Sequence, residues 1–142
     1  MLLFLLACKA LSPNSLDGSL TESYDLAFDD TQARLYTSEL SIEYVDDPQG
    51  MATVVLRVTL DADVEPKAGK SYDLVEHGEI TQSDATNTTL PDLDQGELDL
   101  EEYGDKAGDK VVGSFDASFV TDEGQTLQLE GRFKTELELV DL

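Results

Sequence analysis

Apolar residues occupy every second position over much of the chain, and this period constrains the fold more than any other feature of the sequence. The residues between them are mostly polar. The clearest run comprises Val111, Gly113, Phe115, Ala117 and Phe119. After the turn-forming residues Asp122-Glu123-Gly124, a second run comprises Leu127, Leu129, Gly131, Phe133, Thr135, Leu137 and Leu139. Alternation of this kind is typical of a β-strand with one buried face, so the two runs predict a long C-terminal hairpin.

Four residues of this hairpin are expected in the core: Phe115, Phe119, Phe133 and Leu137. The pattern Gly113-x-Phe115 occurs again as Gly131-x-Phe133. Glycine inside a strand favours a bulge or a close approach of another group to the backbone. We therefore expect one of these two features at Gly131.

Shorter alternating segments precede the hairpin and predict further strands. The first is expected over 20–28, ending at Asp29-Asp30, and Ala33 with Leu35 indicates a short strand or a turn-like segment. Leu40, Ile42 and Tyr44 predict a strand whose opposite face carries the polar residues Glu39, Ser41 and Glu43. This strand is expected to form a hairpin with the strand that follows, which carries Val54, Leu56, Val58 and Leu60. Tyr72 with Leu74, ending near His77-Gly78, and Leu98 with Leu100 predict two more.

No segment of ten or more residues has a helical period in its apolar residues. A chain of 142 residues with 40% hydrophobic residues can bury a core without metals or disulfides. We therefore expect one all-β domain over 19–142, an antiparallel β-sandwich of about eight strands. A closed β-barrel is the alternative.

The charge of the chain excludes nucleic acid as a partner. The sequence has 31 Asp and Glu against 9 Lys and Arg, a formal net charge of −22, and its basic residues form no run. Such a chain repels phosphate backbones, so its partners are expected to be cationic, neutral or metal ions. Solubility alone would also explain this acidity. The single cysteine, Cys8, and the single histidine, His77, exclude an internal disulfide and a multi-histidine metal site.

The N-terminus has the form of a secretion signal. Residues 1–7 read Met-Leu-Leu-Phe-Leu-Leu-Ala, an apolar run too short to span a bilayer, and Cys8 follows at once. Leu5-Leu6-Ala7-Cys8 resembles the lipobox of bacterial lipoproteins. The resemblance implies that residues 1–7 are removed as a signal peptide and that Cys8 becomes lipidated, with 8–18 as a tether. The chain departs from the family in lacking a Lys or Arg before the apolar run.

The lipobox resemblance also implies a location. A lipid-anchored protein is held at a membrane of the cell envelope, and Lys9 after the cysteine favours the outer membrane by analogy with enterobacterial sorting. The final hairpin is similar to the Gly-x-Phe strands of small, uncharacterised β-sandwich lipoproteins of Gram-negative bacteria. That likeness implies a fold and no activity.

Candidate sites are weak in this sequence. His77 lies between Glu76 and Glu79 in the order Glu-His-Gly-Glu and would be a general base only beside a nucleophile, but no Gly-x-Ser-x-Gly frame surrounds a serine. We predict no metal site and no cofactor. The best metal candidates are Asp92, Asp94 and Asp99, whose carboxylates faintly resemble a calcium loop but have the wrong spacing for an EF-hand.

These observations predict a membrane-anchored, non-catalytic envelope lipoprotein with a structural or binding role, whose protein or small-molecule partner is unknown. The alternative is a carbohydrate-binding or hydrolase-like module that uses carboxylates on loops. A deep pocket lined by converging acids and a tyrosine favours the alternative, whereas a filled sandwich with shallow loops favours the leading interpretation.

Overall fold

The computed structural model describes residues 13–37, 39–46, 53–82 and 90–140, and nearly all regular structure within these ranges is β-strand. The strands are β1 (Ser15–Asp17), β2 (Asp30–Tyr36), β3 (Glu39–Asp46), β4 (Thr53–Leu60), β5 (Lys70–Asp73), β6 (Gly78–Thr81), β7 (Asp92–Glu102), β8 (Lys110–Val120) and β9 (Thr126–Val140). Two single-turn helices, α1 (Leu20–Ser23) and α2 (Leu74–His77), lie between them. Neither is long and apolar enough to cross a membrane.

The strands form one sheet with the order β5-β7-β8-β9-β2-β3-β4-β6, and β1 pairs separately with β9. The prediction of an all-β domain of about eight strands is confirmed. The expectation of purely antiparallel pairing needs one correction, because β2 and β9 run parallel, with Ala33 opposite Leu137. Alternation fixes which face of a strand is buried, but it does not specify the direction of a neighbour that is distant in sequence.

The helix α2 joins the two edges of this sheet. It connects β5, at one end of the strand order, to β6 at the other, and it packs against β4, β5, β6 and β7. Its Leu74 is fully buried. The sheet therefore nearly closes into a barrel, an arrangement that fits both predicted architectures.

The predicted core residues Phe115, Phe119, Phe133 and Leu137 are all buried, which confirms the facing of the C-terminal hairpin. Tyr44 joins this core to β3, because its ring lies edge-on to Phe115 with 6.2 Å between the ring centroids. The Tyr44 hydroxyl donates a hydrogen bond to the carbonyl of Arg132 at 2.7 Å. Burial raises the pKa of this hydroxyl far above its ordinary value, so Tyr44 is a neutral hydrogen-bond donor.

The two glycines of the repeated Gly-x-Phe pattern make room for aromatic rings. In the β8–β9 ladder Gly131 lies opposite Phe115, and Gly113 lies opposite Phe133. A side chain at Gly131 would overlap the Phe115 ring. The ladder runs through Gly131 without a register shift, so the predicted close approach is the correct alternative and the bulge is not.

Two segments predicted as strands have a different structure. The segment 20–28 is not a strand: α1 occupies its start, and its apolar residues Leu20 and Leu26 are buried without a β-ladder. The strand predicted over Tyr72 and Leu74 stops at Asp73, because the Asp73 carboxylate accepts hydrogen bonds from the backbone N–H groups of Val75 and Glu76 and caps α2.

The predicted tether 8–18 overlaps β1. Ser15–Asp17 pairs with β9, and the Asn14 side chain accepts a hydrogen bond of 2.8 Å from the backbone N–H of Lys134. This short strand satisfies part of the edge of β9 that β2 does not reach. The folded domain therefore begins before residue 19.

Candidate functional site

A cluster of polar side chains lies on the outer face of β2, β3 and β4. We call it the arginine cluster, and its members are Gln32, Arg34, Ser41, Glu43 and Arg57. Strand register brings it together, because Gln32 and Arg57 lie directly opposite Glu43 on the two neighbouring strands. Residues directly opposite one another on one face of a sheet are the closest cross-strand pairs. The cluster is therefore a consequence of pairing order.

Glu43 is the centre of the cluster and is fully buried. Its carboxylate accepts hydrogen bonds from Gln32 Nε2 at 2.6 Å, from Arg57 Nε at 2.8 Å and from Ser41 Oγ at 3.2 Å. Arg34 Nη1 lies 4.0 Å from Glu43 Oε1, the oxygen that also accepts the hydrogen bond from Gln32. A carboxylate removed from water is tolerated only when it is paired and hydrogen-bonded, and here every contact is with a donor.

Arg34 connects this cluster to β9 and to an aromatic ring. Its Nε lies 3.5 Å from Glu138 Oε2, and its guanidinium lies 5.3 Å from the centroid of the Tyr36 ring. Guanidinium groups at this distance from a ring are attracted to its face. Arg34 therefore helps to position Tyr36 at the end of β2.

A groove of about 530 Å³ adjoins the cluster. We call it the arginine groove, and it is lined by Tyr36, Thr37, Glu39, Ser41, Arg57 and Ala62. The Arg57 side chain is 41% exposed although its Nε is held by buried Glu43. The groove thus combines a fixed guanidinium with an aromatic ring, hydroxyls and a carboxylate.

Thr37, in the β2–β3 turn, has a φ of 56°. A β-branched residue is strongly disfavoured in this left-handed region, which glycine and asparagine adopt readily. Only two residues separate the paired Tyr36 and Glu39, and a hairpin turn of this length requires a positive φ at its first central residue. The turn therefore accounts for the φ of Thr37, which also lines the arginine groove.

A larger groove of about 810 Å³ lies on the opposite side of the sheet order, over β5, β7, β8 and β9. We call it the acidic groove because six carboxylates line it: Asp73, Glu76, Asp94, Glu97, Asp116 and Glu130. The neighbouring Asp99, through its charge and a hydrogen bond, raises the pKa of Glu97, with smaller contributions from burial, Asp116 and Asp73. This groove is a region of crowded negative charge. Its carboxylates belong mainly to strands rather than to loops.

The structure places the sequence-predicted residues apart from the arginine groove. His77 ends α2, with its Nε2 3.7 Å from Glu76 Oε2, and its Nδ1 is buried with no hydrogen-bond partner among the described residues. No serine hydroxyl is hydrogen-bonded to His77 in that part of the chain. The imidazole therefore lacks the contact with a nucleophile that a catalytic base needs.

The candidate calcium ligands do not converge. Asp92 and Asp99 lie seven residues apart on β7, a separation of roughly 23 Å, and Asp94 lies at a register shift of the same strand. Over residues 13–37, 39–46, 53–82 and 90–140, no group of three or more His, Cys, Asp or Glu side chains is arranged to hold a metal ion. Cys8 and the lipobox lie outside these ranges.

The arginine cluster was missed at the level of sequence. Glu43 is assigned to a polar strand face by its alternation, and such a face is expected to meet water. The opposite charges of Glu43 and Arg57 on consecutive strands were the available signal, but only the register shows that they meet. The role of Arg34 depends on the parallel pairing of β2 with β9, which no local pattern predicts.

Comparison of the chain with protein-family models, with curated proteins and with solved structures finds no match.

Proposed function

We propose that this chain is a membrane-anchored, non-catalytic lipoprotein of the bacterial cell envelope and that the arginine groove gives it a binding role. The lipid is attached at Cys8, and by analogy with lipobox proteins the anchor lies in the outer membrane. The domain presents the groove to a protein or small-molecule ligand.

The observation that carries the binding role is the hydrogen bond between Arg57 Nε and the buried Glu43 carboxylate. It fixes one side of the guanidinium while the side chain remains partly exposed in the groove. A side chain held in place before a ligand arrives loses less conformational freedom on binding. This arrangement supports recognition and does not require a reaction.

The position of β1 limits how far the domain can move from its anchor. Six residues separate Cys8 from Ser15, the first residue of the sheet, so the seven Cα–Cα steps between them span at most about 25 Å. The groove therefore stays near the membrane surface. A net charge of −22 would repel anionic headgroups and hold the domain away from them.

The alternative function is a carbohydrate-binding or hydrolase-like module that uses carboxylates. Its supporting observation is the acidic groove, which the buried Tyr72 lines together with the six carboxylates and where Asp99 raises the pKa of Glu97. A carboxyl group with a raised pKa is a candidate general acid beside an ionised neighbour. A catalytic form of this alternative predicts turnover that depends on Glu97.

Lipid attachment tests the anchor. The full chain and its Cys8→Ser variant are expressed in a Gram-negative host and labelled with an alkyne fatty acid. We expect label and membrane association only in the wild type, with Cys8 as the mature N-terminus. Label retained by Cys8→Ser would show that the proposed anchor is wrong.

Turnover assays test the non-catalytic assignment. The wild type, Glu97→Gln and His77→Gln are incubated with chromogenic glycosides, esters and phosphate esters. We expect no turnover above the buffer blank in any of the three. Hydrolysis by the wild type that Glu97→Gln abolishes would favour the hydrolase-like alternative.

A further inference from the structure

We infer that the arginine groove binds a neutral saccharide. This inference rests on the proposed binding role of the same groove and adds the chemical class of the ligand. It differs from the carbohydrate-binding alternative above because it places the saccharide at the arginine groove and not at the acidic groove. It depends on which groups line the groove and on their charges.

Several groups lining the groove are free to bind a ligand. Among the described residues, the Tyr36 hydroxyl, the Glu39 carboxylate and the terminal nitrogens of Arg57 form no hydrogen bond or ion pair; Arg57 is engaged only through Nε. These groups supply both donors and acceptors. A sugar hydroxyl both donates and accepts a hydrogen bond, so vicinal hydroxyls match a guanidinium and a carboxylate at once.

The local charges favour a neutral ligand over an ion. The groove and the cluster beneath it contain two cations, Arg34 and Arg57, and two carboxylates, Glu39 and Glu43. With Glu138, whose Oε2 lies 3.5 Å from Arg34 Nε, the sum is −1 within a chain of net −22. A free anion would meet this negative field, and a cation would meet the Arg57 guanidinium. A polyhydroxylated neutral molecule uses both groups and pays neither electrostatic cost.

Tyr36 adds the apolar component that saccharide recognition requires. Its half-buried ring lines the groove and is positioned by the Arg34 guanidinium. An amphipathic aromatic side chain offers an apolar surface to the C–H groups of a sugar and a hydroxyl at its tip. A groove of about 530 Å³ lies within the size range of small-ligand sites.

Thr37, which also lines the groove, adds a hydroxyl. It lies in the two-residue turn between the paired residues Tyr36 and Glu39. A hairpin turn of this length requires a positive φ at its first central residue, which accounts for the φ of 56° at Thr37.

The test is a glycan array probed with the full chain in a zwitterionic detergent, which avoids sugar-based detergents that would compete. Neutral glycans that bind are measured by isothermal titration calorimetry, with an anionic and a cationic oligosaccharide as comparisons. The variants are Tyr36→Ala and Glu39→Gln. Glu101→Gln is the matched control, since Glu101 is an exposed glutamate of β7 outside both grooves. Arg57 is left intact because it pairs with buried Glu43.

We expect neutral glycans to bind and each groove variant to weaken binding about tenfold or more, as the loss of one good contact does, with no change for Glu101→Gln. Equal melting temperatures would exclude a folding defect in the variants. Failure of every neutral glycan to bind, or binding that neither groove variant weakens, would overturn the inference. Preference for a charged oligosaccharide at this groove would overturn the inference that the ligand is neutral and leave the binding role intact. Absence of the fatty-acid label from the wild type would instead overturn the anchor and leave this groove unaffected.

Discussion

The β8–β9 hairpin and the β2–β3–β4 region have the same alternating sequence pattern, but their outer faces have different environments. In β8 and β9 buried residues alternate with exposed or half-exposed ones along most of each strand. In β3 every residue from Leu40 to Val45 is buried, so the outer face is covered as well. The difference follows from which residues lie opposite on the neighbouring strands. Glu130 on β9 faces Asp116 on β8, whereas Glu43 on β3 faces Gln32 and Arg57.

This comparison shows that acidic residues on the outer face of a strand have one role in the β8–β9 hairpin and a different role in β3. On the β8–β9 face, Glu130 lies opposite another acid, Asp116, and both stay in contact with water and line the acidic groove. On the β3 face, an acid meets donors and is taken out of water, and the arginine groove forms beside it. The predictions below test these two roles, beginning with the core face that both regions share.

The largest expected effect is the loss of a shared core side chain. Phe133→Ala removes a ring that is only 1% exposed and lies over Gly113 in the ladder. We expect the free energy of unfolding to fall by about 4 kcal/mol, from lost burial and the cavity left behind. Urea denaturation followed by circular dichroism measures this. A change below about 0.5 kcal/mol, the range of ordinary surface substitutions, would contradict the assigned facing of β9.

The second effect separates the two outer faces directly. Glu43→Ala leaves the guanidinium groups of Arg57 and Arg34 without their buried partner, and we expect a loss of about 3 kcal/mol in the free energy of unfolding. The matched change on the other face, Glu130→Ala, is expected to stay within about 0.5 kcal/mol. Both are measured by urea denaturation. Equal effects of the two substitutions would show that the faces do not differ in the way described.

A smaller effect is expected from salt, which acts mainly on exposed charges. Raising the concentration of a monovalent salt screens the repulsion among the acids and should raise the melting temperature of the wild type. The buried Glu43 contacts are screened much less. Calcium at fixed ionic strength should add no further rise, and magnesium serves as the comparison. A calcium-specific rise that Asp94→Asn abolishes would instead establish a metal site on β7.

The smallest effect concerns Glu97. Asp99 raises the pKa of Glu97 above its ordinary value of 4.5, so the folded chain binds this proton more tightly than the unfolded chain. The contribution of Glu97 to stability therefore falls as pH rises from about 4.5 through the raised pKa. Glu97→Gln should raise the melting temperature slightly at neutral pH, with a difference that disappears in acid. Thermal melts between pH 4 and pH 7 test this, with Glu101→Gln as the control; a difference independent of pH would contradict it.

Part of the fold was predictable because local alternation reports burial. The long β8–β9 hairpin, the β3–β4 hairpin and the four named core residues all follow from the two-residue period, since each buried set lies on one face. The period failed over 20–28, where apolar residues are buried next to the sheet without joining it. It also missed the cap at Asp73, which ends β5 and starts α2, because a carboxylate that binds backbone N–H groups competes with strand extension.

The sequence by itself determined the all-β class, the facing of the longest strands and the strong negative charge, because each depends on residue type and local spacing. Tertiary structure alone decided that β2 runs parallel to β9, that α2 joins the edges of the sheet, and that Glu43 meets Gln32, Arg34 and Arg57. These features depend on the order and register of strands that are distant in sequence. A charged residue on a strand face is therefore exposed or buried according to what its neighbouring strands place beside it.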